Sequence, residues 1–330
     1  MLRCSTSASL ALSSPTIACA PADDPVAVFE YVWQEFDALY GPFAQRGVDW
    51  DASYASWRPA IRHDSSDDEL WQVLTGMLEI FDDGHVKLIA PGRPLWEGDR
   101  VRREREGDDS FDVELIRGRY LDELRVGPEL SYLSGRVADD LPYIWLAHIA
   151  DNLGALEALL DRHPGARGLI IDLRHNSGGD FTWAFAAFGR LTTTALPVFR
   201  SRTRKGPERG SFDEWRTWSL EPRGRYFGAP ITLLTDRWTI SAGERAAMAL
   251  QRLPETVTIG ARTNGSLATM IGREAPNGWY FSLPVQELVG HDGSVPEGIG
   301  LPVDLELLND PLTLQAGTDE LLEQAIARYA

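Results

Sequence analysis

Lysine is nearly missing from this 330-residue chain: of its 32 basic residues only Lys87 and Lys205 are lysine. Any chemistry that needs a lysine therefore has two candidates. Cysteine is as scarce, with Cys4 and Cys19 both inside the first twenty residues. Once such a leader is removed no thiol remains, which excludes thiol catalysis, disulfides and cysteine-held zinc. None of the six histidines stands four residues from another with glutamate between them, so no zinc-helix motif is present. No run of 18 apolar residues occurs, and no membrane span is expected. Positive charge is outnumbered: the formal net charge is -17 and the pI is near 4.8. A nucleic-acid or anionic-membrane partner needs the opposite balance.

What is present is ordinary for a globular chain, 43% hydrophobic and 25% charged. The length suits one large domain and a smaller one. Residues 1–22 carry an early Arg3, a Ser/Ala/Leu stretch and Ala18-Cys19-Ala20 before Asp23-Asp24. The pattern suggests a weak signal peptide with a trace of lipoprotein processing. It predicts a secreted, periplasmic or lipoprotein-anchored protein; a disordered N-terminus or a misplaced start would give the same letters.

Residues 24–92 are expected to form a helical N-terminal domain. One helix is predicted from Pro25 through Tyr40. A second carries Leu70, Leu74, Met77 or Leu78, and Phe81 on one stripe, with Ser65-Ser66 as cap and Gly84 closing it. Residues 93–130 read as an irregular, strand-rich connector, in which Phe111–Leu115 alternates like a strand. From 131 to 308 the character changes. Gly168–Leu173, Pro230–Thr235 and Val257–Ile259 are apolar runs separated by helices, the mark of parallel strands covered on both faces. Residues 309–330 form a helical tail. The fold class is α/β.

Four features could carry chemistry. Ser241 follows a buried strand, opens a helix and has Glu244 three residues on. That is a capping box, and also the kind of corner at which a nucleophile is presented. Asn176-Ser177-Gly178-Gly179 offers bare backbone amide at the end of a parallel strand, where open α/β sheets place ligands. His85 follows Phe81-Asp82-Asp83-Gly84, and Glu297 lies in Pro296-Glu297-Gly298-Ile299-Gly300. Taken singly, each reads as a turn or a cap.

Together, in this order, they resemble the S41 peptidases, which include tail-specific (C-terminal-processing) and tricorn-type enzymes. The matching segments are 48–51, 81–86, 171–179, 239–244, 259–265, 277–278 and 297–304. The resemblance implies a ClpP/crotonase-like core of ββα repeats and hydrolysis of peptide bonds through an acyl-enzyme on Ser241. Two departures matter. The tail-specific branch has a lysine base after its Thr-x-Gly turn; here that position is Ser266. The tricorn-type branch uses a histidine at the position of His85, which implies His85 as base, Glu297 to orient it, and the amides of Gly179 and Ala242 as oxyanion hole. The span 91–168 is too short for an inserted PDZ module plus core strands, so the chain resembles the compact members. No metal or cofactor is implied, and the partner is a peptide or unfolded protein. Two alternatives stay open: a module of this fold that binds a hydrophobic ligand without catalysis, and a crotonase-like acyl-thioester enzyme.

Overall fold

The computed structural model describes residues 24–106, 111–138 and 140–330. The segment read as a possible signal peptide, residues 1–22, lies outside them.

Helix α1 (Pro25–Leu39) starts where Asp24 accepts the Val26 amide and proline supplies its own fixed φ at the first turn. Val28, Phe29, Val32 and Phe36 recur on one face and are fully buried, each contributing roughly 1.5–3 kcal/mol by leaving water. They pack with α2 (Phe43–Arg46), α3 (Trp50–Trp57) and α4 (Asp67–Leu78). The capping box of α4 forms between Ser66 and Glu69. Phe81 is the hub of this cluster, its ring 4.2 Å from Tyr40 and 5.0 Å from both Phe36 and Trp50. Gly84 does not close α4: a short 3-10 turn follows, and Asp82 takes the left-handed position with φ 45°. Strands β1 (Lys87–Ile89) and β2 (Trp96–Glu97) follow, then α5 (Arg100–Glu106).

The predicted strand at Phe111–Leu115 is instead the start of α6 (Val113–Leu115). Asp112 caps the amides of Glu114 and Leu115, and local capping outweighs a two-residue alternation. Next come β3 (Asp122–Val126), β4 (Tyr132–Val137), β5 (Leu141–Leu146), α7 (Gly154–Arg162), β6 (Leu169–Asp172) and α8 (Phe181–Phe188). Strands β7 (Leu196–Thr203) and β8 (Arg216–Leu220) precede β9 (Ile231–Thr235), α9 (Ala242–Gln251) and β10 (Thr256–Gly260). The chain ends through β11 (Met270–Glu274), β12 (Tyr280–Pro284), β13 (Gln286–Gly290), β14 (Leu305–Glu306), α10 (Pro311–Gln315) and α11 (Glu320–Ala327).

The central sheet runs β14-β10-β9-β6-β5-β4-β3, parallel from β14 to β5 and antiparallel beyond. Leu169 and Ile171 of β6 join the core under α7, α8 and α9, whereas Ile170 joins the core under α11. Both faces are covered, which is why these strands read as unbroken apolar runs. Two smaller sheets flank it, β13-β7-β8 and β11-β12-β1-β2. The second joins the N-terminal region to residues 270–284, because β1 pairs with β12. Below the sheet, the buried Arg174 is held bidentately by Asp172 and by Asp319, the cap of α11. Among the described residues no helix is long and apolar enough to cross a membrane.

Candidate active site

The carboxyl ends of β6, β9 and β10 open onto a cavity of about 870 Å³. Its wall includes His85, Gly179, Ser241, Ala242, Arg245 and Trp238.

Ser241 sits at φ 61° and ψ -121°, in the corner between β9 and α9. A side chain at that φ stores about 1–3 kcal/mol, so the surroundings must hold it there. Its amide donates to Ser266 O at 3.1 Å and to the Glu244 carboxylate at 3.2 Å. Glu244 is fully buried and also accepts from Thr263 Oγ1 and the amides of Gly265 and Ser266. Burial pushes its carboxyl up to about 7 against these bonds. The cap predicted from sequence thus fastens the corner to the loop after β10.

The glycine turn leans on the same corner. Gly178 lies at φ 90°, and a Cβ built on it would come within 2.6 Å of Ser241 Cβ. Gly179 lies at φ 133°, where a Cβ would meet Ile149 O at 2.1 Å. The Ile149 amide donates to Gly178 O and the Asp180 amide to Ile149 O, which fixes the turn without using the Gly179 N–H. Ala242 is the first residue of α9, so its amide has no acceptor within the helix. Two donors therefore flank the serine, on the positive end of a helix. Gly178→Ala is expected to lower kcat/KM by about 100-fold and stability by roughly 1–3 kcal/mol. Gly154→Ala, with open space around the new methyl, is expected to change neither; steady-state kinetics and thermal unfolding read both.

His85 is 4% exposed and lines the cavity. The Asp83 carboxylate accepts its amide at 2.9 Å, and its carbonyl accepts from Ser282 on β12. The loop is tied to the serine side by Gly84, whose amide donates to Ser266 Oγ at 3.1 Å. Ser266, which replaces the lysine of the tail-specific pattern, so bridges the two halves. Among the described residues the His85 Nδ1 has no hydrogen-bond partner, and it is buried. Burial pushes the imidazole down to about 4, with Asp83 the main opposing influence, so the ring is neutral at pH 7.

Glu297 is fully buried but makes no hydrogen bond to His85. Arg46 takes one carboxylate oxygen at 2.6 Å, and the amides of Leu267 and Ala268 take the other at 3.0 Å each. Burial raises the Glu297 carboxyl while Arg46 opposes the rise. Arg46 lies 3.3 Å from Asp83 as well, and Tyr40 donates to Asp83 at 3.1 Å. Arg46 carried no signal in the sequence, being one arginine in a four-residue helix.

Two further groups stand on the wall, one of the two lysines and a histidine not nominated from the sequence. Lys87 lines the cavity, with its ammonium held by Glu97 at 2.7 Å. His175 does too, its Nε2 3.4 Å from the Asp236 carboxylate. Among the described residues no group of three or more His, Cys, Asp or Glu side chains is arranged to hold a metal.

The family model of peptidase family S41 matches residues 142–307, just over half of the chain. The model of the tricorn protease C1 domain matches residues 21–79. Among solved structures the chain is similar to a protein of Parabacteroides merdae ATCC 43184 assigned as a peptidase, with TM-score 0.83 and 23% identity. That match covers 93% of this chain and 97% of the other. Mature CPAF matches at TM-score 0.72 and 11% identity, covering 93% and 96%. The photosystem II D1 C-terminal processing protease matches at TM-score 0.53 and 16% identity, covering 92% and 96%. At such identities these structures establish the fold.

Proposed function

Because the chain belongs to peptidase family S41, we propose that it is a serine-type peptidase that cleaves peptides or unfolded proteins through an acyl-enzyme on Ser241. The observation that carries this reading is the strained Ser241 corner, set between the Gly178-Gly179 turn and α9 on one cavity with His85.

In the proposed reaction the Ser241 hydroxyl attacks the scissile carbonyl carbon and His85 takes its proton. The amides of Gly179 and Ala242 hold the oxygen as it becomes anionic. When the C–N bond breaks, the imidazolium gives its proton to the leaving amine. Water then adds to the ester with His85 as base again, releasing the acid and restoring the serine. Glu297 acts at one remove in this scheme. By holding the Leu267 and Ala268 amides it fixes the segment whose Ser266 touches both the serine corner and the His85 loop.

His175 with Asp236 is the rival base, since that pair also faces the cavity. Export, with loss of the leader at residues 1–22, is proposed on the composition of that segment.

A fluorophosphonate probe tests the nucleophile. One adduct, mapped to the peptide containing Ser241, is the expected result; an adduct on any other serine would overturn the assignment.

A further inference from the structure

Arg245 stands in the cavity wall four residues from the candidate nucleophile, yet only 3% of it is exposed. Its hydrogen bonds all go to neutral acceptors. Nε donates to Leu267 O at 2.8 Å, and Nη2 donates to Thr269 Oγ1 at 3.1 Å and Gln286 Oε1 at 3.0 Å. Nη1 has no partner among the described residues, and no carboxylate there is in ion-pair contact with the guanidinium. The rings of Phe181 and Phe199 lie 4.8 and 5.3 Å from its centre. They are soft neighbours for a cation and no substitute for a counter-ion.

The other cations on this wall are matched. Lys87 is held by Glu97, and Arg103 lies 2.8 Å from Asp99 and 3.6 Å from Glu97. Glu244 and Glu297 act on Arg245 only through longer-range attraction, each being bound to other donors. Burial lowers the guanidinium to about 10, which still leaves it charged at neutral pH. A buried, charged and geometrically fixed guanidinium that lacks an anion is costly to the folded chain. Its Nη1 N–H groups, the ones left unspent, are fixed donors for a carboxylate. That a chain of net charge -17 leaves this cation unmatched at its candidate site points to a partner that brings the anion.

We propose that Arg245 is a specificity-determining residue: it receives a carboxylate of the substrate, so the enzyme prefers peptides that place an anionic group beside the scissile bond. This rests on the peptidase reading of the same cavity. Two sources could supply the carboxylate, an acidic side chain or the free carboxyl terminus of the peptide, and the test separates them.

Full-length Ser241→Ala protein, which cannot turn substrate over, is titrated with four fluorescent peptides. One ends in a free carboxylate and has no acidic side chain; the second is its amide; the third is the amide with one glutamate; the fourth replaces that glutamate by glutamine. The expected result is that one or both carboxylate-bearing peptides bind on the order of 10- to 100-fold tighter than their neutral counterparts. A preference confined to the first peptide assigns the carboxyl terminus, and one confined to the third assigns the acidic side chain. In the Arg245→Met background the ratio should fall to near one, and Arg245→Lys should recover part of it. Equal affinity for all four peptides in the Ser241→Ala protein would overturn the proposal even if Arg245→Met failed to fold. Because binding is read without turnover, this failure is distinct from a failure of the peptidase reading, which the fluorophosphonate adduct reports.

Discussion

Ser241→Ala is expected to reduce kcat by about 10⁶-fold while the fold persists, since loss of the nucleophile of a serine–histidine unit removes the reaction path itself. Stability offers an independent check. Ser241 holds φ 61° without being glycine, and alanine inherits that strain. Glycine does not, so Ser241→Gly should be equally inactive yet more stable than the parent by about 1 kcal/mol. A capping serine behaves oppositely, because its replacement by alanine costs about 1 kcal/mol of stability and leaves activity intact. Denaturant titration of the three proteins, run beside peptide hydrolysis, distinguishes the two roles. Undiminished turnover by the alanine variant would remove Ser241 from the chemistry.

The second large effect is expected at His85. His85→Ala should approach the loss seen for the serine, because the hydroxyl then loses the base proposed to receive its proton. An unperturbed histidine would place the acid limb of kcat/KM near pH 6.5. Burial lowers this one to about 4, and the sign follows from the neutral form being the active one. Activity should stay level on descending from pH 7 and fall only as the ring gains a proton near pH 4. A limb near pH 6.5 that is insensitive to His85→Ala, together with a comparable loss in His175→Ala, would transfer the role to the His175–Asp236 pair.

Legibility in the sequence followed the physics of each element. Strands β6, β9 and β10 were plain because helices cover both faces, leaving no polar alternation to obscure them. The capping signals at Ser66 and Ser241 were plain because they are local. The flanking sheet β13-β7-β8 was not: Arg200 and Arg202 alternate in β7, Arg204 follows its end, and the three lie against Trp215 and Phe212, so the strand reads as a polar, basic stretch. Phe111–Leu115 misled because five letters of alternation cannot compete with an aspartate cap. Ser241, His85, Glu297, Gly179 and Ala242 could be nominated from order and resemblance alone. The capture of Glu297 by Arg46 could not, for it depends on a contact across 251 positions of chain. The unmatched charge of Arg245 was equally hidden, since a missing counter-ion is visible only once every neighbour is placed.

The pairing of β1 with β12 bears on how the molecule is made. The segment carrying His85 is anchored through Ser282 and the Lys87–Ser282 register, nearly two hundred residues later in the chain. A ribosome that has released residues 1–268 has already produced the serine corner, with the Thr263–Ser266 contacts that hold it, and the glycine turn. It has not produced the strand that holds the histidine against them. On the proposed mechanism, hydrolytic competence therefore arrives late in synthesis, and a nascent or C-terminally truncated chain carries the candidate nucleophile without the means to use it on its neighbours.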